Sequence, residues 1–402
     1  MLKIGSGSYG QIYRPLISSD PEVLKLQPFN NRRGVRPVVI REISILRLLS
    51  QIDSPNIVQF KEASFSEGIF SILLESCSTD LTEYVKQYPY EIRIKHLPQL
   101  IVDVLKGLTV LESLEINHLD LKPNNILVSE KNFKITDFGL SRVHTITPLP
   151  HSVYCSLYRP PERCLPFKIR IPGNASDVWA FGVILYFYVT GSHLFSVKED
   201  GSDVLTEIYI MYSKNQENPP ISFSWFMDNY PLGRISGKIR FNNIIYETPS
   251  LDQMFEINPL FRPRPSDFLE SKDRPVLEEK ERKYAVPIKT LRNYSDDGPT
   301  ILMIQEIIGR LFDSEPDEDD LRICSYIAKA FLQKELVDPL EDISIDSERV
   351  FQIMKRLDFK VYSPGLINPW NRLNIIPKEE QIGFLESLPL TEYLIPVSDW
   401  FS

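Results

Sequence analysis

One string constrains this chain more than any other: His118-Leu119-Asp120-Leu121-Lys122-Pro123-Asn124-Asn125, with Asp137-Phe138-Gly139 starting twelve residues later. It puts a carboxylate, an ammonium and an amide in one short loop, with a second carboxylate downstream. That inventory suits phosphoryl transfer. Asp120 can accept the proton of an attacking hydroxyl, Lys122 can neutralise the transferring phosphoryl group, and Asn125 and Asp137 can hold Mg²⁺. Any one of these residues alone would mean little; the ordered string has a very low chance rate.

The same chemistry needs a nucleotide to be covered and its phosphates gripped. Gly5-Ser6-Gly7-Ser8-Tyr9-Gly10, with Ile12 two residues on, opens a strand-like run near the start. Its glycines let the backbone approach phosphates and aim N–H groups at them, although such a motif alone is often only a turn. Glu22-Val23-Leu24-Lys25 reads as a strand carrying a cation. Seventeen residues later Glu42 lies within Pro37–Leu49, whose apolar positions recur at helical spacing. Glu42 can therefore reach Lys25 from a helix.

The loop string with D-F-G resembles the catalytic and metal loops of protein kinases. Gly34 to Leu46 resembles the P-S-T-A-I-R-E helix of cyclin-dependent kinases, with I-R-E-I-S intact at Ile40–Ser44. Pro55-Asn56-Ile57-Val58, Leu74-Glu75-Ser76-Cys77 leading to Asp80-Leu81, Tyr158-Arg159-Pro160-Pro161-Glu162, Asp177 to Gly182 and Asn258 to Pro263 extend the likeness over about residues 1–275. The resemblance implies an α+β bilobal kinase fold: a sheet-rich small lobe at 1–77 with one helix near 36–50, and a helical large lobe at 78–275. It implies that Gly5, Ser6, Gly7, Ser8, Tyr9, Gly10 and Ile12 cover ATP, that backbone groups near Glu75 and Cys77 face the adenine, and that Asp80 and Leu127 line the same site. Lys25, held by Glu42, would grip the α/β-phosphates. Asp120, Lys122, Asn125 and Asp137 keep the roles above, and Glu162 with Arg262 would form a buried structural ion pair. K-P-x-N at Lys122–Asn125 resembles serine/threonine rather than tyrosine kinases, so the expected substrate is a protein with a Ser/Thr acceptor; a following Pro is a family preference.

A chain of 402 residues, 43% hydrophobic, can bury two or three cores at roughly 100–200 residues per domain. Its net charge of −9 argues against general nucleic-acid or anionic-membrane binding. Cys77, Cys155, Cys164 and Cys324 lie far apart without C-x-x-C spacing, which reads as free thiols in a reducing compartment. The longest apolar run, Val178 to Thr190, is too short to span a bilayer and falls where the buried central helix of the large lobe belongs. No signal peptide is expected, since Gly5 already belongs to the phosphate loop. The expected location is cytoplasmic and/or nuclear.

Beyond the kinase-like part, residues 271–284 read as a solvated linker, Asp313 to Asp320 as a polar inter-helix loop, and 285–402 as an all-α domain. Pro299–Phe312, Leu321–Leu332 and Ser347–Phe359 each carry apolar residues at helical spacing. Ile304–Phe312, Tyr326–Phe331 and Val350–Pro364 resemble successive cyclin-box helices, the last ending L-D-F-x-V-x-x-P. Lys329 and Glu348 stand one and two places from the Lys and Glu that cyclins pair. A generic helical extension is the plainer alternative.

A tethered cyclin-like domain would restore the Glu42–Lys25 pair at high effective concentration. Leu119 stands where loop-phosphorylated kinases carry Arg before the catalytic Asp, and Pro150 where the family has its phosphothreonine; Arg41 and Arg142 remain. Full activity is therefore expected without a phosphate on Thr147 or Ser152. Cys155 replaces a Thr whose hydroxyl bridges the catalytic Asp and Lys. Two rival readings are a pseudokinase scaffold and a kinase that recruits a separate cyclin.

Overall fold

The computed structural model describes residues 1–7, 10–15, 21–28, 35–130, 132–143, 156–164, 174–195, 204–208, 251–257, 259, 262–269, 298–312, 316–332 and 347–359. The expectations for Ser8, Tyr9, Thr147, Pro150, Ser152, Cys155, the 271–284 linker and residues 360–402 lie outside these.

Strands β1 (Leu2–Gly7), β2 (Gly10–Arg14), β3 (Glu22–Pro28), β4 (Phe60–Ser66) and β5 (Ile69–Glu75) form an antiparallel sheet in the order β1-β2-β3-β5-β4. Gly7 pairs with Gly10 at the β1–β2 end. A Cβ on Gly10 would meet Leu26 O at 2.8 Å, so only glycine permits that approach of β2 to β3. Glu67 and Gly68 both have positive φ (51° and 72°), the conformation of a tight hairpin turn, and set Phe65 opposite Phe70.

Helix α1 (Pro37–Leu49) starts with a proline in its first turn, where no N–H is missed. Eleven of its thirteen residues are buried, so it must be covered on more than one side. Glu42 faces β3, and a helix from the end of the chain covers another face.

The larger part is helical. It contains α2 (Leu81–Gln87), α3 (Tyr90–Ser113), α4 (Pro161–Cys164) and α5 (Ala175–Thr190). α5 is the buried central helix expected from the apolar run, closed by Gly191 at φ 75°. Among the described residues no helix is long and apolar enough to cross a membrane. Short strands β6 (Thr79–Asp80), β8 (Ile126–Val128) and β9 (Phe133–Ile135) make one small sheet, and β7 (Ile116–Asn117) pairs with β10 (Arg142–Val143). The loop 118–125 is thereby clamped between β7 and β8, and Asp137 follows β9 directly.

Glu162 and Arg262 form the expected buried pair through two contacts of 2.9 and 3.1 Å, with both side chains fully buried. Ser176 donates to Glu162 at 3.0 Å, and Arg262 lies 5.1 Å over the Trp179 ring. Removing one partner strands the other charge. Arg262→Met is expected to cost about 3–5 kcal/mol in denaturant unfolding, and the Glu162→Gln/Arg262→Met double variant less, because no buried charge is then unpaired. Equal losses would show that the pair's charge is not what matters.

The final segment gives α6 (Gly298–Leu311), α7 (Glu318–Leu332) and α8 (Ser347–Arg356). Three helices were expected here, but Glu318, Asp319 and Asp320 are not loop: they form the first turn of α7. Acidic side chains are favoured there by the exposed N–H groups, and Asp317 caps the turn by accepting from Asp320 N at 2.7 Å. α7 packs on α1: Arg41 donates to Ala330 O at 2.7 Å, and the Tyr326 hydroxyl donates to Val35 O. Arg47 grips both oxygens of Asp358 at 2.7–3.0 Å. Phe351 stands 6.0 Å from both Phe65 and Phe70, ring centre to ring centre. Lys329 and Glu348, already off the register of the Lys and Glu that cyclins pair, are exposed.

Candidate active site

The loop after β7 is held by a side chain from α5. The Asp177 carboxylate accepts the N–H groups of His118 (2.7 Å) and Leu119 (3.0 Å). Burial pushes the Asp177 carboxyl above its usual range, against the pull of His118 and those donors. Leu119 sits at φ 66° with its side chain fully buried, a conformation costing about 1–2 kcal/mol in a non-glycine residue. His118 Nδ1 accepts from Asp120 N at 3.3 Å, so Nε2 carries the proton and donates to Thr136 O at 2.8 Å. One imidazole thus ties the loop to the segment that presents Asp137.

Asp120 is 7% exposed. Its Oδ2 accepts from Lys122 Nζ at 2.6 Å and from Asn125 Nδ2 at 3.1 Å. Asn125 Nδ2 also donates to Asp120 O at 2.8 Å. Among the described residues no donor goes to Asp120 Oδ1, which leaves that oxygen open to a hydroxyl proton.

Across the cleft, Lys25 Nζ lies 2.5 Å from Glu42 Oε1 and 2.9 Å from Asp137 Oδ1. Burial alone would lower the Lys25 ammonium's affinity for its proton, but the two carboxylates outweigh it and hold its pKa well above the usual value. Burial raises the Glu42 carboxyl, while Lys25 and the Gln27 amide oppose that. Asp137 is only partly buried, its side chain 27% exposed, and although that burial pushes its carboxyl up, the ammonium beside it keeps it below the ordinary range. Its φ of 65° turns the backbone sharply between β9 and the Phe138–Leu140 turn. A Cβ on Gly139 would come within 2.7 Å of Val38 Cγ2, so this turn can press against α1 only as glycine.

At the edge of the cleft, Ser76 N donates to Pro21 O at 2.8 Å and Ser78 N to Val128 O at 2.9 Å. Between them the Cys77 N–H has no partner among the described residues, a donor suited to an adenine ring. Glu75 accepts from Lys134 at 2.8 and 3.0 Å and from Gln59 N at 2.7 Å through its carboxylate, and its own N–H donates to Gln59 O at 3.0 Å. Burial and the Glu75 charge push the Cys77 thiol up to about 11. Leu127 pairs with Asp80 across β6 and β8. Asp80 itself caps α2, accepting from Glu83 N at 3.0 Å. Ile12 pairs with Lys25 across β2 and β3, and Gly5 with Ile12 across β1 and β2. Ser6 and Gly7 complete β1.

ATP and Mg²⁺ are the cofactors of this chemistry, and the donor set suits them. Among the described residues no three or more His, Cys, Asp or Glu side chains gather into a metal cage. Mg²⁺ needs none, because it commonly takes one or two carboxylates and fills its other positions with phosphate oxygens and water. Asp137 offers a carboxylate, and Asn125, with its amide N–H groups committed to Asp120, keeps an amide oxygen free of hydrogen bonds among the described residues.

The structure brings Lys25, Glu42 and Asp137 into one cluster and Asp120, Lys122 and Asn125 into another. Sequence reading missed Gln27, which donates to Glu42 Oε2 at 2.6 Å. It stands two residues after Lys25 on a strand, so period two could have found it. Asp177's hold on the loop was also missed.

The protein kinase domain profile matches residues 1–233. Cell division control protein 2 homolog D of Antirrhinum majus is 30% identical over 230 residues, covering 54% of this chain and 72% of that protein. Cell division control protein 2 homolog 1 of Trypanosoma brucei brucei is 27% identical over 266 residues, covering 64% and 84%. A chain from the crystal structure of the yeast RNA Pol II CTD kinase CTDK-1 complex shares the fold, with a TM-score of 0.52 and 21% identity over 68% of this chain and 93% of that one.

Proposed function

The chain belongs to the protein kinase family, and on that premise we propose that it phosphorylates serine or threonine of protein substrates, with α6–α8 serving as a built-in, cyclin-like activator. The Ser/Thr assignment rests on Lys122-Pro123 in the catalytic loop and on the relatives' type. The observation that carries the activator is the Lys25–Glu42 contact of 2.5 Å on a helix that α7 packs from outside.

In this reading Lys25 grips the α/β-phosphates of ATP and Glu42 holds Lys25. Asp120 orients the acceptor hydroxyl and takes its proton on Oδ1, while Lys122 and Asn125 fix the carboxylate through Oδ2. Mg²⁺, held by Asn125 and Asp137, offsets the phosphate charge. Residues 1–77, 78–275 and 285–402 act as small lobe, large lobe and activator. Arg41, which in relatives of this type would face a loop phosphate, here donates to Ala330 O and, at 3.4 Å, to Gly139 O. The tail thus engages a phosphate-binding arginine, in keeping with Leu119 in place of arginine.

The test is γ-phosphate transfer by the full chain, without added cyclin, to matched Ser-Pro, Thr-Pro and Tyr-Pro peptides, with Asp137→Asn as control. Transfer to the first two, lost in the control and kept after phosphatase treatment of the enzyme, is the expected result. Transfer only after a cyclin is added would make the tail a mere extension. No transfer under either condition would favour a scaffold.

A further inference from the structure

Gln27 is 1% exposed on β3, on the same strand face as Lys25. Its Nε2 donates to Glu42 Oε2 at 2.6 Å while Lys25 takes Oε1 at 2.5 Å. Its own Oε1 is buried and has no hydrogen-bond partner among the described residues. A residue present only to fill the space under α1 would not carry that uncompensated acceptor, since leucine has nearly the same volume and no polar atom to satisfy. The amide also cannot be turned round: Oε1 would then press a lone pair against a carboxylate oxygen. The buried acceptor is what remains when the other end of the amide is committed to Glu42.

We infer that Gln27 is a positioning residue that holds the Glu42 carboxylate in the Lys25-facing orientation. Two donors at two oxygens fix both the place and the rotation of the carboxylate, where one donor fixes only its place. The second matters because Lys25 is shared. It also contacts Asp137, and a nucleotide's phosphates would compete for the same three N–H groups. As Lys25 swings toward phosphate, the neutral Gln27 amide keeps its grip on Glu42 and adds no charge to the site. The hold is internal to the small lobe and complements the tail's hold on α1 from outside.

This inference rests on the reading of Lys25 and Glu42 as the ATP-gripping pair. The full chain is compared with Gln27→Leu and Gln27→Met, each also in a Glu42→Gln background, by MgATP binding, steady-state kinetics and thermal unfolding. Gln27→Leu is expected to lower kcat/KM for ATP about tenfold to a hundredfold, the worth of one charge-assisted hydrogen bond. Its melting temperature should move little, because loss of the orphan acceptor offsets the buried Glu42 oxygen left without its donor. In the Glu42→Gln background the same change should do nothing further, as it acts only through Glu42. Wild-type kinetics in both Gln27 variants, or equal losses with and without Glu42, would overturn the proposal and leave the Lys25–Glu42 reading intact. A Glu42→Gln chain that binds and turns over ATP like wild type would overturn both.

Discussion

Asp120→Asn is expected to lower kcat by about 10²–10⁴, the usual worth of a positioned general base, while MgATP affinity barely changes. The split follows from the geometry. Asp120 contacts Lys122 and Asn125 but neither Lys25 nor Asp137, so the nucleotide grip stays whole. An asparagine there can still accept both Oδ2 contacts through its amide oxygen. What it then presents at the Oδ1 position is an NH₂ group, which cannot take a proton from an attacking hydroxyl. Lys25→Met is a useful contrast. It leaves the buried Glu42 and the partly buried Asp137 without their shared cation, which costs about 3–5 kcal/mol in a typical case and weakens nucleotide binding as well. Separate measurement of kcat and of MgATP affinity distinguishes the two. A fall in kcat of less than about tenfold in Asp120→Asn, which is 1.4 kcal/mol of barrier, would place the proton acceptor elsewhere.

The parts of this site that the sequence made legible are those whose chemistry is local. His118 to Asn125 and Asp137 stand within a few residues of one another in the chain, so type and order were enough to expect that their side chains gather. The Glu42–Lys25 contact was readable because a helical period and a strand each point one way, which leaves a single face on which they can meet. The large-lobe pair Glu162–Arg262 was legible only through resemblance, since a hundred residues separate its partners.

What stayed hidden depends on tertiary contact. Nothing around Asp177 says that its carboxylate takes two N–H groups of a loop about sixty residues upstream. Leu119 stands where loop-phosphorylated kinases carry arginine, and only the structure shows that its side chain is buried on a left-handed residue. In the tail the helical periods of Leu321–Leu332 and Ser347–Phe359 were plain, but the residues that fasten them were not. Lys329 and Glu348, off the register of the Lys and Glu that cyclins pair, are exposed, and Arg41, Arg47 and Tyr326 make contacts between the tail and the α1 region. Periodicity tells which face is apolar and says little about which polar residue lies at its rim.

Those fastenings differ widely in worth, and the difference yields the second large effect. Phe351 is 6% exposed and packs against Phe65 and Phe70 of the β4–β5 hairpin and, at 5.6 Å, against Phe359. Its truncation to alanine should cost about 3–5 kcal/mol of packing. The Arg47–Asp358 pair is better formed on paper, with three contacts, but its side chains are 31% and 43% exposed. Solvent screening limits such a pair to about 0–1 kcal/mol. If α6–α8 hold α1 in place, activity should follow packing and not the count of polar contacts. A tether supplies an effective concentration in the millimolar range, so weak losses are absorbed before docking fails. Arg47→Ala should therefore keep kcat/KM within about fivefold of wild type, the limit set by 1 kcal/mol. Phe351→Ala should lower it by about tenfold or more, since each 1.4 kcal/mol beyond the docking reserve is a factor of ten. Hydrogen exchange of α1 amides should rise in the same variant, with α3 and α5 unchanged, because only the helix that lost its cover opens. A Phe351→Ala chain that exchanges faster at α1 yet phosphorylates peptide at the wild-type rate would show that α1 needs no external support, and the tail would then be a stabilising extension only.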